Sequence, residues 1–286
     1  MTQDSATRPH AERPSRRVVG GRDLVVATLV GVVLAVAVVA ALLVDPWIFV
    51  AAVALVTAVA FVEVRRVLRR VGRVFDAPVA IVATWVMLLG AVEARHAGQV
   101  IGLLVLLLGA AVWQLLDTSR DDVVAAMSTT VWLGLWVGLP ASFAVLLASA
   151  DEFGPSAVLI VLAAAALGDT GAFAVGVAVG RHPIAPSVSP NKTWEGFLGG
   201  LVIAAGVAAI VVPLLTDLLS MRDAAIVAAL CAGAAFIGDL VESMVKRDLG
   251  VKDLGVVLPG HGGVLDRIDG ILFALPVGFF ALELLR

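Results

Sequence analysis

Charge is scarce in this chain, and so is any means of cross-linking it. Only 15% of the 286 residues are Asp, Glu, Lys or Arg and 60% are apolar, against about 25% and about 45–50% in ordinary soluble domains. That shortage excludes a soluble globular surface over most of the length. A net charge of −3 excludes the basic footprint that a nucleic-acid partner requires. The single cysteine, Cys231, lies in an apolar run, so there is neither an internal disulfide nor a cysteine-based metal cluster, and the side chain reads as a small buried apolar group. No solenoid period is present, and beyond the N-terminal tail the longest polar interruption is 243–269, which leaves no separate soluble domain.

What is abundant is apolar sequence in pieces of membrane-crossing length. A helix needs about 20 apolar residues to cross the hydrocarbon core, and nine stretches qualify, near 24–44, 47–63, 77–94, 98–116, 123–149, 155–180, 196–216, 223–242 and 270–286. The expectation is an all-α, polytopic integral membrane bundle of about nine transmembrane helices. Residues 1–22 form a polar, Arg-rich tail without periodicity, expected to be disordered. The first apolar stretch is longer than the core of a signal peptide, so a retained span is expected. Pro140, inside the fifth stretch, allows a kink or two half-helices. Residues 23–150 then form an N-terminal set of spans, and 151–286 a catalytic region with polar loops at 181–195 and 243–269.

The distribution of Lys and Arg orients the bundle. With the N-terminus cytoplasmic, every basic residue except Arg95, Arg222 and Arg286 falls on the cytoplasmic side, and both polar loops face that side. The clusters in the tail and at Arg65, Arg66, Arg69, Arg70 and Arg73 read as topology anchors that meet anionic headgroups.

Acidic groups at membrane depth cost at least a few kcal/mol and need a reason. Asp169 lies within the sixth stretch and Asp239 near the end of the eighth. Asp239, Glu242 and Ser243 stand at i, i+3 and i+4, so a helix carries them on one face, with Lys246 a turn further on. The bland reading is an interhelical hydrogen-bond cluster that glues the bundle. The loop that follows is richer than a connection needs. Lys246, Arg247, Lys252 and Arg267 suit phosphates. Asp248, Asp253, Asp266 and Asp269 offer the hard oxygens that Mg²⁺ takes when it also binds substrate phosphates. Gly262 and Gly263, beside His261, let backbone N–H groups approach an anion. If the last helix begins early, Asp266 and Asp269 share its first-turn face. In the other loop, Ser189, Lys192, Thr193 and Glu195 sit at the start of an apolar run, where helix N–H groups are free. Trp194 reads as an interfacial anchor. His261 reads as a phosphate-orienting residue before a general base, and His10, His96 and His182 as solvated surface. Together these residues suit metal-assisted phosphoryl or nucleotidyl transfer to a lipid, without naming the substrate.

The residues also resemble a known family. From Ser243 to Asp269 the chain reads S-x-V-K-R, then K-D-x-G-x-x-L-P-x-H-G-G-V-x-D-R-I-D, which resembles the signature of CDP-diacylglycerol synthases. Ser189 to Gly200 (SPNKTWEGFLGG) resembles a second segment of that family, and Gly168 to Gly171, with Asp169, the start of a third. One departure stands out: Phe173 and Val177 occupy positions where the family usually has Tyr and Arg, and Arg181 is the nearby charge that could substitute.

The resemblance implies that CTP and phosphatidic acid give CDP-diacylglycerol and pyrophosphate with Mg²⁺. It implies a metal pair between Asp239 and Asp266, supported by Asp253 and Asp269. Lys246, Arg247, Lys252 and Arg267 would act on the phosphates. Ser189, Lys192, Thr193 and Glu195 would shape the nucleotide side, with Asp169 as a polar wall and Ser243, His261, Gly262 and Gly263 at the substrate. It also implies a homodimer. The N-terminal tail reads as neither amphipathic nor an organelle transit peptide, so a bacterial inner membrane is expected, and the Lys/Arg distribution turns the site toward the cytoplasm. Two rival readings remain: a CTP-dependent polyprenol or diacylglycerol kinase, in which a lipid hydroxyl attacks the γ-phosphorus, and a secondary transporter whose buried Asp169 and Asp239 line an ion path.

Overall fold

The computed structural model describes residues 36–118, 122–150, 154–255 and 262–285. Among these, eight helices are long and apolar enough to cross a membrane. They are α1 Pro46–Arg70, α2 Ala77–Ala94, α3 His96–Leu116, α4 Val123–Ala148, α5 Gly154–Val179, α6 Trp194–Leu215, α7 Met221–Asp248 and α8 Leu265–Leu285. Residues 36–44 are also helical. The tail and the first part of the expected first span lie outside the described residues, as do Arg120 and His261. The chain is therefore an α-helical, multi-pass membrane protein.

Three helices run past the ends that composition suggests. Helix α1 begins at a cap, where Asp45 accepts from the N–H groups of Trp47 (2.8 Å) and Ile48 (3.2 Å) and Pro46 opens the first turn. It continues to Arg70 rather than ending near 63, because Phe61, Val64, Val67 and Leu68 keep one face buried while Arg66, Arg69 and Arg70 stay outside. Helix α7 likewise continues to Asp248 instead of 242, and α8 begins at Leu265 instead of 270. These extensions place the polar residues on rigid helix rather than on loops.

Pro140 leaves α4 continuous. The ladder slips into a π-helical turn over Gly134–Gly138, in which the Leu139 N–H donates to the Gly134 carbonyl. Pro140 has no N–H to give, so a local slip takes up the missing bond without breaking the span.

Residues 181–195, expected as a loop, contain a small antiparallel ribbon, β1 Pro183–Ala185 and β2 Ser189–Thr193, paired Pro183 to Thr193 and Ala185 to Ser189. Thr193 then caps α6, its Oγ1 accepting from the Gly196 N–H at 3.1 Å.

The largest buried cluster joins α4 to α8 and includes Cys231. Helices α5 and α6 pack on small residues: a Cβ on Gly200 would come 2.5 Å from the Gly168 carbonyl oxygen, and one on Gly196 would come 2.7 Å from that of Ala172. The glycines of the SPNKTWEGFLGG segment thus give clearance between helices. A second buried cluster gathers Phe61, Val64 and Leu68 of α1 with Leu249, Leu254, Val264 and Leu265. Through it, Leu249, Leu254 and Val264, between α7 and α8, rest on the N-terminal half.

Candidate active site

The polar residues converge where α7 and α8 touch. Gly238 has no room for a Cβ, which would lie 2.6 Å from the Asp269 carbonyl oxygen, and one on Gly270 would lie 3.0 Å from that of Ala235. That contact brings Asp239 and Glu242 of α7 beside Asp269 of α8, one carboxylate oxygen from each lying within 4.8 Å of the others. Glu242 is 1% exposed, and its Oε1 has no hydrogen-bond partner among the described residues. A buried, unpartnered carboxylate oxygen is costly, and a cation would satisfy it. The donor set is all oxygen, which suits a hard divalent ion such as Mg²⁺.

Two lysines border this trio. Lys246 Nζ lies 2.6 Å from Glu242 Oε2 and 3.0 Å from Asp266 Oδ1. Lys192, from β2, places its Nζ 2.6 Å from Asp239 Oδ2 and 4.6 Å from the centre of the Phe236 ring. Ser243 Oγ donates to Asp239 Oδ1 at 3.3 Å, and Asp169 on α5 is within electrostatic range of both Asp239 and Lys192. The structure therefore brings together Asp239, Asp269, Lys192, Lys246, Ser243 and Asp169.

Asp266 stands next to the trio and has other partners. Its carboxylate accepts from the Leu254 N–H (3.0 Å to Oδ2), from the Gly263 N–H (2.8 Å) and from Lys246. It ties Leu254 to Gly263 ahead of α8. Glu242, absent from the expected ligands, takes the place in the acidic group where Asp266 was expected; its i, i+3 spacing from Asp239 was the available signal.

Several further candidates act on backbone here. Glu195 accepts from the N–H groups of Arg181 (3.1 Å) and His182 (3.2 Å) and pairs with the His182 ring, so it fastens the strand ribbon. Arg247 Nε donates to the Val188 carbonyl at 3.2 Å and clasps the turn just before Ser189. Lys252 and Asp253 are exposed on the segment after α7, outside the acidic trio. Gly262, at φ +79°, faces Asp253: a Cβ there would come 3.0 Å from Oδ1. Arg267 is exposed at the start of α8, where it and Thr57 are the polar residues lining an otherwise apolar cavity of about 550 Å³ between α1, α4, α5 and α8.

Residues 25–285 match the Cytidylyltransferase family. The chain belongs to that family. Among its relatives, the phosphatidate cytidylyltransferase of Mycobacterium bovis is 36% identical over 99% of both chains. That of Mycobacterium leprae is 35% identical over 93% of this chain and 89% of the relative. The Bacillus subtilis protein of the same name is 36% identical over 52% of this chain and 56% of its own length. The cytidylyltransferase assignment covers the N-terminal helices as well as the two polar segments. Phe173 and Val177, the departures from the resembled pattern, are 75% and 74% exposed on α5, on the same face as Asp169 at i+4 and i+8. That face adds no charge beyond Asp169, and the Arg181 backbone N–H is held by Glu195.

Proposed function

We propose that the protein transfers the cytidylyl group of CTP to phosphatidic acid, releasing pyrophosphate and giving CDP-diacylglycerol for phospholipid synthesis. Near full-length likeness to proteins named phosphatidate cytidylyltransferase supports the substrate pair. The observation that carries the chemistry is the trio Asp239, Glu242 and Asp269, in which buried Glu242 has an oxygen without a hydrogen-bond partner among the described residues, with a lysine on either side.

In this reading a phosphatidate oxygen bonds to the α-phosphorus of CTP, and the bond from that phosphorus to the β-phosphate oxygen breaks in line, so pyrophosphate leaves with the electron pair. The attacking phosphate is already ionised, so no strong base is needed and His261 need not serve as one. A Mg²⁺ held by Asp239, Glu242 and Asp269 would supply charge neutralisation at the phosphate oxygens. Lys246 fixes Glu242 and keeps Asp266 against the N–H groups of Leu254 and Gly263. Lys192 presents a cation beside Asp239 on the nucleotide side, held in place by the ribbon that Glu195 and Arg247 fasten. Arg267, at the polar end of the apolar cavity, suits the lipid phosphate. The bundle sits in a bacterial inner membrane with this end toward the cytoplasm, where CTP is found.

The test is transfer of label by purified protein in detergent with phosphatidic acid and Mg²⁺. Label from the α-phosphate of CTP is expected in the organic-soluble lipid. Label from the γ-phosphate in the lipid would instead establish a kinase.

A further inference from the structure

We propose that Glu63, a buried carboxylate of the N-terminal half, is a positioning residue for the acidic trio. The inference rests on the cytidylyltransferase reading of that trio. Glu63 is 2% exposed within a membrane span, a placement that is expensive without a partner. Its Oε2 accepts from the Val264 N–H at 2.6 Å, across 201 residues of sequence. Val264 immediately precedes α8, where free N–H groups and the positive end of the helix dipole favour a carboxylate.

The fit around Glu63 is tight on its second side. The Gly255 backbone lies against the carboxyl group, and a Cβ there would come 2.3 Å from Glu63 Cδ. Gly263 closes on Gly255 in turn, a Cβ on it lying 2.7 Å from Gly255 Cα. Two carboxylates from opposite halves of the chain thus divide three N–H groups between α7 and α8: Glu63 takes Val264, while Asp266 takes Gly263 and Leu254. Asp266 also receives Lys246, which holds Glu242 of the trio. Glu63 is connected to the trio through this series of short contacts. Just past the end of α1, Arg73 forms an exposed ion pair with Asp248 at the end of α7, at 2.9 Å.

The test compares Glu63→Ala, Gly255→Ala and Glu63→Gln in the full-length protein. Gln keeps an acceptor oxygen for Val264, whereas Gly255→Ala reaches the same carboxylate from the other side. The readouts are kcat and KM for CTP, and binding of Mn²⁺ followed by its electron paramagnetic resonance signal. Both Ala variants are expected to lose about tenfold to 100-fold in kcat and in Mn²⁺ affinity, the range typical of residues that orient metal ligands, while KM for CTP stays near wild type and Glu63→Gln recovers most of both. Wild-type Mn²⁺ affinity and kcat per folded molecule in the Ala variants, even with a lowered melting temperature, would overturn the proposal. So would a Gln variant as impaired as Ala. A wild-type protein that labels no lipid would overturn the function reading instead, and the Mn²⁺ arm would still judge Glu63.

Discussion

Gly238 and Gly270 let α7 and α8 meet backbone to backbone one residue away from Asp239 and Asp269. The closeness of those carboxylates is a packing result: helices held apart by two methyl groups would not bring them into one group. Gly238→Ala is expected to destabilise the protein by about 1–3 kcal/mol through overpacking and to lower activity further than the loss of folded protein explains. Activity per folded molecule, with folding followed by thermal melting in detergent, checks this.

Lys246 neutralises two carboxylates that are almost fully buried, Glu242 and Asp266. Removing the amine leaves both without their cation, so Lys246→Met is expected to cost about 3–5 kcal/mol. Adding Glu242→Gln to that variant should restore part of the loss, because residues in one charge network do not add. Melting temperatures of the two single variants and the double variant measure the coupling.

The helices were largely legible in the sequence, and the departures share a cause. Counting apolar residues stops at the first charges, so 63, 242 and 270 marked expected ends, whereas the buried positions Val64, Val67 and Leu68 carry α1 on to Arg70. The ribbon at 183–193 was hidden because its short strands contain Pro183 and Pro190 and bury little. In the site, i, i+3 spacing placed Asp239 and Glu242 on one face. The same spacing placed Asp266 and Asp269 together and could not separate them; the Leu254 and Gly263 N–H groups that engage Asp266 come from tertiary packing. Glu63 was counted inside an apolar stretch, and its partner lies 201 residues away.

Lys192 is the basic residue that the strand ribbon delivers to Asp239. Lys192→Ala is expected to raise KM for CTP by about tenfold, equivalent to about 1.4 kcal/mol of binding, with a smaller effect on KM for phosphatidic acid. Steady-state kinetics with each substrate varied in turn checks the asymmetry. An unchanged KM for CTP would remove Lys192 from the nucleotide side.

Lys252 and Asp253 are exposed and stand outside the trio. Asp253→Asn is therefore expected to leave the Mg²⁺ concentration at half-maximal activity within about threefold of wild type, whereas Asp269→Asn should lose about 10- to 100-fold in metal affinity or activity. A Mg²⁺ titration of each variant separates them.

The most direct measurement is the appearance of α-phosphate label from CTP in lipid as Mg²⁺ is raised, for wild type and Glu242→Gln side by side. Glu242 offers a buried oxygen without a hydrogen-bond partner among the described residues, so saturable labelling by wild type and its loss, or a large shift to higher Mg²⁺, in Glu242→Gln is the expected result. Equal Mg²⁺ dependence in both proteins, or label that stays in CDP, would contradict a cytidylyl-transfer site built on Asp239, Glu242 and Asp269.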